Sequence, residues 1–183
     1  ITPIMHRSAA DVSKIFHEKF GLPEDSTPAQ ITAFVRTTLR EQFEKAQAGI
    51  TGANFLVAGT GAVALTENEG NGVLAMSMPP VHVVVTGIDK IIPSLDDLDL
   101  FWPLLATHGT GQQVTVYNSL VSGPRRKDEG DGPSQMYVVL VDNGRTQLLS
   151  SVPQRRALSC IRCGACLNAC PIYHNIGGHA YGN

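Results

Sequence analysis

The sequence predicts an α/β domain followed by a small cysteine-rich module. Three observations carry that prediction. Roughly the first fifty residues place apolar side chains at helical spacing, and the next hundred hold short apolar runs between glycine turns. All four cysteines then fall within eleven residues near the end of the chain. Helices beside apolar strands are the pattern of α/β architecture. A length of 183 residues suits one domain plus an appendage and is ample for a hydrophobic core. The expected division is 1–150 for the α/β domain and 151–183 for the beginning of the cysteine module.

The first helix spans residues 8–20. Ser8 caps it, Val12, Ile15, Phe16 and Phe20 follow helical spacing, and Gly21 sits at the expected stop. Thr27-Pro28-Ala29-Gln30 starts a second helix with a capping-box pair and proline at the first position. Ile31, Phe34, Val35, Leu39 and Phe43 mark its apolar face, Arg36, Arg40, Glu41, Glu44 and Lys45 its solvated one, and Gly49 is expected to end it.

From Ile50 the period changes. Asn54–Ala58 and Ala62–Thr66 read as two strands joined by a hairpin-like turn at Gly59-Thr60-Gly61. Val81–Thr86 is nearly all apolar, as expected of a strand covered on both faces. Ser94 caps a helix running through Asp97, Leu98, Phe101, Leu104 and Leu105, which Pro103 is expected to bend or restart. Gln113–Tyr117 and Met136–Val141 are two further strands. Asp142-Asn143-Gly144-Arg145 signals a tight turn returning the chain through Thr146–Leu149. Ser122–Pro133 is a charged loop, and 151–159 a connector or short helix.

Charge and hydropathy exclude several classes of partner. A net charge of −2 argues against nucleic acid or an anionic membrane as the main partner. No apolar run reaches transmembrane length. Cysteines grouped as ligands, with none scattered elsewhere, suit a reducing cytoplasm.

The cysteines form the run Cys160-Ile-Arg-Cys163-Gly-Ala-Cys166-Leu-Asn-Ala-Cys170-Pro171. This C-x2-C-x2-C-x3-C-P spacing is the ferredoxin-type signature for ligands of a [4Fe–4S] cluster. Two residues between successive thiolates let a short loop curl around one cube. Gly164 and Ala165 allow the backbone to come close, where N–H groups donate to cluster sulfurs. A four-cysteine zinc site usually draws its ligands as two separated pairs, so zinc fits poorly. Disulfides fit worse, because cysteines three apart are hard to bridge and the rest of the chain offers none. Either Cys170 closes a single cube, or it serves a second cluster whose remaining ligands lie in another run. The chain begins at Ile1 and stops thirteen residues after Cys170, which favours a piece of a longer protein.

The run Leu158–Tyr173, followed by Gly177-Gly-His-Ala-Tyr-Gly182, resembles the lactate utilisation protein B family. So do Gly59–Gly72, Pro80-Val-His82, Val85–Lys90, Gly109–Gln112, Ser122–Arg125 and Leu140–Arg145, blocks that cover essentially the whole chain. The resemblance implies a LUD-type domain similar in fold to ribose-5-phosphate isomerase and CoA-transferase proteins. It further implies an additional N-terminal segment, a second cysteine run downstream and hence two clusters in the full-length protein. The implied function is electron transfer, in the company of other subunits, during oxidation of L-lactate to pyruvate. The alternative is an α/β domain that binds a small acyl, CoA-type or phosphorylated ligand, with the cysteine module structural.

Other candidates are Gly59, Thr60, Gly61, Glu67 and His82. Glycine turns at strand ends are where α/β sheets build ligand crevices, although a strand rather than a helix is expected after Gly61. Glu67 and Glu69 have the chemistry of an acid–base pair. His82, in an apolar strand, reads first as a hydrogen-bonded core residue. Thr110, Gly111 and Gln112 offer donors to an anion, and His174 and His179 flank the cysteines. Arg155, Arg156 and Arg162 can offset the negative charge of a thiolate-ligated cluster.

Overall fold

The computed structural model describes residues 7–178. The chain forms two units, Ile1–Ala46 and Gln47–Asn183. The cysteine segment is stitched to the sheets of the second unit, with Ile161 packed on their apolar core and the Cys160 carbonyl held by Lys90.

The first unit is a helix pair, α1 (Ala9–Phe20) and α2 (Pro28–Lys45). Both start as their sequences dictate. Ser8 Oγ accepts the Asp11 N–H at 3.1 Å while the Asp11 carboxylate accepts the Ser8 N–H at 2.9 Å. Thr27 and Gln30 repeat the exchange at 3.3 and 2.8 Å. Gly21 ends α1 in the left-handed region at φ 73°, which costs glycine nothing. Phe16, Phe20 and Phe34 pack ring to ring, with centroids 5.2–6.2 Å apart. The α2 helix stops at Lys45, four residues before Gly49, because Ala46 turns extended and the chain enters a strand.

The second unit holds two sheets. The first contains β1 (Ala48–Thr51), β4 (Val81–Gly87) and β7 (Gln135–Val141), all parallel, with β4 in the middle. The second has the order β5-β2-β3-β6, from β5 (Ile91–Ile92), β2 (Phe55–Val57), β3 (Ala62–Glu67) and β6 (Tyr117–Val121). In it β2–β3 and β3–β6 are antiparallel, and β2–β5 is parallel. The α3 helix (Asn71–Ser77) packs on β1, where buried Gly49 lies against the Ala75 carbonyl. Phe55, Val57, Ala62, Ala64 and Ile92 form a core with Leu98 of α4 (Leu98–Gly109), and Phe101 stacks on Phe55 at 4.9 Å between centroids.

Several elements depart from the sequence expectation. The β4 strand is not covered on both faces: His82, Val84 and Thr86 are buried, while Val85 is 41% exposed. Pro103 does not interrupt α4, although as its sixth residue it lacks the N–H that would bond the Asp99 carbonyl. The strand expected at 113–117 begins only at Tyr117, where pairing with Glu67 of β3 starts. The segment Thr146–Leu149, expected to return the chain from a tight turn, is instead part of α5 (Arg145–Ser150). Asp142 causes this by accepting the Thr146 N–H at 2.8 Å and its hydroxyl at 2.6 Å, bonds that also hold the Asp142 carboxyl below the usual carboxylate range. No described helix is long and apolar enough to cross a membrane.

Candidate metal centre and the crevice beside it

The cysteine segment is irregular where ligand loops usually are, and it is tied down on several sides. A 3-10 turn (Arg155–Ser159) leads into it, followed by α6 (Ala165–Ala169) and α7 (Pro171–Ile176). Ile161 packs into the core, and Arg162 immediately after it takes the left-handed conformation at φ 63°, uncommon for a side-chain-bearing residue. Gly164 follows at φ 80°, where α6 begins. Lys90 Nζ donates to the Cys160 carbonyl at 3.2 Å, and Asn168 Nδ2 to the His108 carbonyl at 2.8 Å. His174, a candidate from its position, bonds through Nε2 to the Asn168 carbonyl at 2.6 Å. His179 lies outside the described residues.

The four thiols sit at or near the surface: Cys160 and Cys166 are exposed, Cys163 and Cys170 half-buried. Cys160 and Cys166 line one open cavity of about 740 Å³ together with Arg145 and Arg162. Cys170 is the N-cap of α7, and its Sγ accepts the Tyr173 N–H at 3.5 Å. Among the described residues, no three Cys, His, Asp or Glu side chains converge as a metal-holding group. The donor set nevertheless fits an iron–sulfur cluster. The thiols are accessible, one sulfur already takes a backbone N–H, and two of the four face a cavity lined by Arg145 and Arg162, with Asp89, its one carboxylate, paired to Arg145.

Those cations stand at the carboxyl ends of the parallel strands. Beyond Gly87 of β4 a 3-10 turn (Ile88–Lys90) carries Asp89 and Lys90. Asp89 forms an ion pair with Arg145 Nε, which also anchors the start of α5 through Nη1 to the Asp142 carbonyl. A Cβ at Gly87 would strike Asp89 Oδ1 and approach Arg145 Nε to 3.0 Å, so a side chain there would displace the ion pair. Lys90 is only 9% exposed, and burial lowers its amine below the usual 10.5. Sequence reasoning missed Lys90 and Arg145; the only signals were a lysine in an apolar context and an arginine after a turn.

The remaining candidates are scattered. Gly59-Thr60-Gly61 is the exposed β2–β3 turn, in which the Thr60 and Gly61 N–H groups both bond to the Val57 carbonyl. Glu67 lies at the far end of β3, about 20 Å away at the usual rise per strand residue. Its carboxylate accepts the Gly72 and Val73 N–H groups at 2.9 and 2.7 Å, capping α3. Glu69 instead takes the Asn71 amide at 2.9 Å, so the two acids are not paired. Thr110 Oγ1 is bonded to the Ala106 carbonyl and to Gln112 Oε1, at 3.1 and 2.7 Å.

His82 is fully buried on β4 in the other sheet, with Nε2 2.8 Å from Thr51 Oγ1 and Nδ1 lacking a partner among the described residues. A neutral ring donating from Nε2 leaves only a lone pair without a partner, the cheaper arrangement. Burial therefore holds the imidazole below its usual 6.5. Below pH 6.5 the unfolded chain takes a proton that the native ring resists. Its contribution is thus fully present above that pH and is lost as pH falls toward the native value, by at most about 1.4 kcal/mol per unit. Urea midpoints at about pH 7.5 and about pH 5.5 should show this acid-side loss, and His82→Gln should reduce it.

Helices beside parallel and mixed sheets, with an appended cysteine loop, define an α/β protein. A family model described as LUD domain matches residues 1–141, and the chain belongs to that family. It is similar over its whole length to lactate utilization protein B of Bacillus pumilus, of Bacillus cereus and of Bacillus thuringiensis, at 43% identity in each case. The chain spans 38% of the length of these relatives. A crystal structure of a DUF162 family protein from Deinococcus radiodurans overlays in part: TM-score 0.42, 20% identity, 55% of this chain and 57% of that one.

Proposed function

We propose that this chain belongs to an iron–sulfur electron-transfer subunit acting in L-lactate oxidation. Cys160, Cys163 and Cys166 hold a [4Fe–4S] cluster, which Cys170 either completes or leaves in order to serve a second one. When bound, the cluster supplies one-electron transfer. The protein's own part is to hold the ligand loop against the core through Ile161, to fix the Cys160 backbone through Lys90, and to set cations beside the thiolates. The observation that carries the reading is the C-x2-C-x2-C-x3-C-P run at an accessible surface. The names of the relatives, lactate utilization protein B, support a role in lactate use. The reading takes the other subunits of a lactate-oxidising complex as partners and, from the grouped cysteines, the cytoplasm as location.

Anaerobic reconstitution with iron and sulfide tests this. The expected product is brown, absorbs broadly in the visible and bleaches with dithionite, and Cys163→Ser should lose most of the colour. A colourless wild-type protein would overturn the proposal.

The alternative, a ligand-binding α/β domain, also has an observation behind it: the cationic crevice at the parallel strand ends.

A further inference from the structure

The crevice at the carboxyl ends of β1, β4 and β7 has an excess of positive charge. Its floor is Gly52, Gly87 and Val141, its volume is about 340 Å³, and Lys90, Arg145 and Arg162 line it. Crevices outside the carboxyl ends of parallel strands are where α/β sheets bind ligands. Asp89 is the one carboxylate among the lining residues, and it is committed to Arg145. Among the described residues, neither Lys90 nor Arg162 forms an ion pair. Lys90 is more than nine-tenths buried and uses one of its three donors, on the Cys160 carbonyl. Arg162 reaches the crevice from a left-handed backbone. Lys90 and Arg145 are largely withdrawn from water, while Arg162 stands exposed beside them. A buried ammonium in a crevice with three cations and one acid is costly without an anion to share.

We infer that this crevice binds a small oxyanion, a carboxylate or phosphate group, through Lys90, Arg145 and Arg162. Two guanidinium forks and one ammonium match the planar or tetrahedral oxygens of such groups. The volume limits the ligand to a small molecule or to the anionic end of a larger one. Arg162 lies between Cys160 and Cys163, so the bound anion would sit beside the ligand loop. The inference does not rest on a cluster being present.

The test uses the full chain with all four cysteines changed to serine, kept metal-free, titrated calorimetrically with inorganic phosphate, L-lactate and pyruvate at constant ionic strength. Saturable binding of at least one probe is expected, weakened about ten- to hundred-fold by Arg162→Gln and by Lys90→Met, and unchanged by Arg155→Gln. Binding of phosphate alone assigns the phosphate class, and binding of lactate or pyruvate the carboxylate class. Absence of saturable binding, or binding indifferent to Arg162→Gln in a variant whose melting temperature is unchanged, overturns the inference. Either result leaves the iron–sulfur proposal standing, because no metal is involved.

Discussion

Replacing Gly49 by valine is expected to destabilise the second unit by about 3 kcal/mol or more. Gly49 is buried in β1, and a Cβ built there would run into the carbonyl of Ala75 on α3 and come within 3.3 Å of the Pro79 ring. The obstacle is backbone on the neighbouring element, which no rotamer change relieves, so α3 must move away from the sheet. Gly49→Ala meets the same carbonyl and should already show much of the loss. Denaturant unfolding measures it, with Gly130→Ala, whose Cβ would meet nothing within 4 Å, as the control.

The second large effect concerns Asp89. Its side chain is 9% exposed and neutralises Arg145, which is 21% exposed, in a crevice that also holds Lys90 and Arg162. Asp89→Ala leaves three cations together without an acid. Breaking a buried pair from one side costs about 3–5 kcal/mol, and the partial exposure of Arg145 places the expected loss near the lower end. The matched double change Asp89→Ala with Arg145→Met should recover part of it, as removal of both charges is cheaper than removal of one. Adding phosphate should raise the melting temperature of Asp89→Ala more than that of the parent. Equal loss in the single and double variants would assign the effect to packing rather than charge.

Much of the fold was legible because its signals are local. Ser8 with Asp11 and Thr27 with Gln30 announce the starts of α1 and α2, and Gly59-Thr60-Gly61 announces the β2–β3 turn. The errors arise where a distant or unexpected partner decides. The α3 helix escaped notice because its cap is Glu67, which stands before the turn rather than at the cap position, held by Gly70 at φ 81°. The α5 helix was hidden by a turn signal that, with the Asp142 side chain folded over Thr146, starts a helix rather than a hairpin. Ala48-Gly49-Ile50-Thr51 has little strand character of its own and becomes β1 by pairing with Val81–Val84.

The candidate site divides along the same line. The cysteine run could be read directly, since its spacing is the chemistry. The crevice could not, because Lys90, Arg145 and Arg162 stand far apart in sequence and meet only once β4, β7 and the cysteine loop are assembled. Glu67 had the chemistry of an acid–base residue when read alone, yet its carboxylate caps a helix, while His82, read first as a core histidine, is buried with Nε2 in a cross-strand bond to Thr51.

The most direct measurement of the central claim is the metal and acid-labile sulfide content of the chain after anaerobic reconstitution with iron, zinc and sulfide offered together. The account predicts iron and sulfide in equal amounts, with both falling in Cys160→Ser and Cys163→Ser. Zinc bound without sulfide, or no metal retained at all, would contradict it.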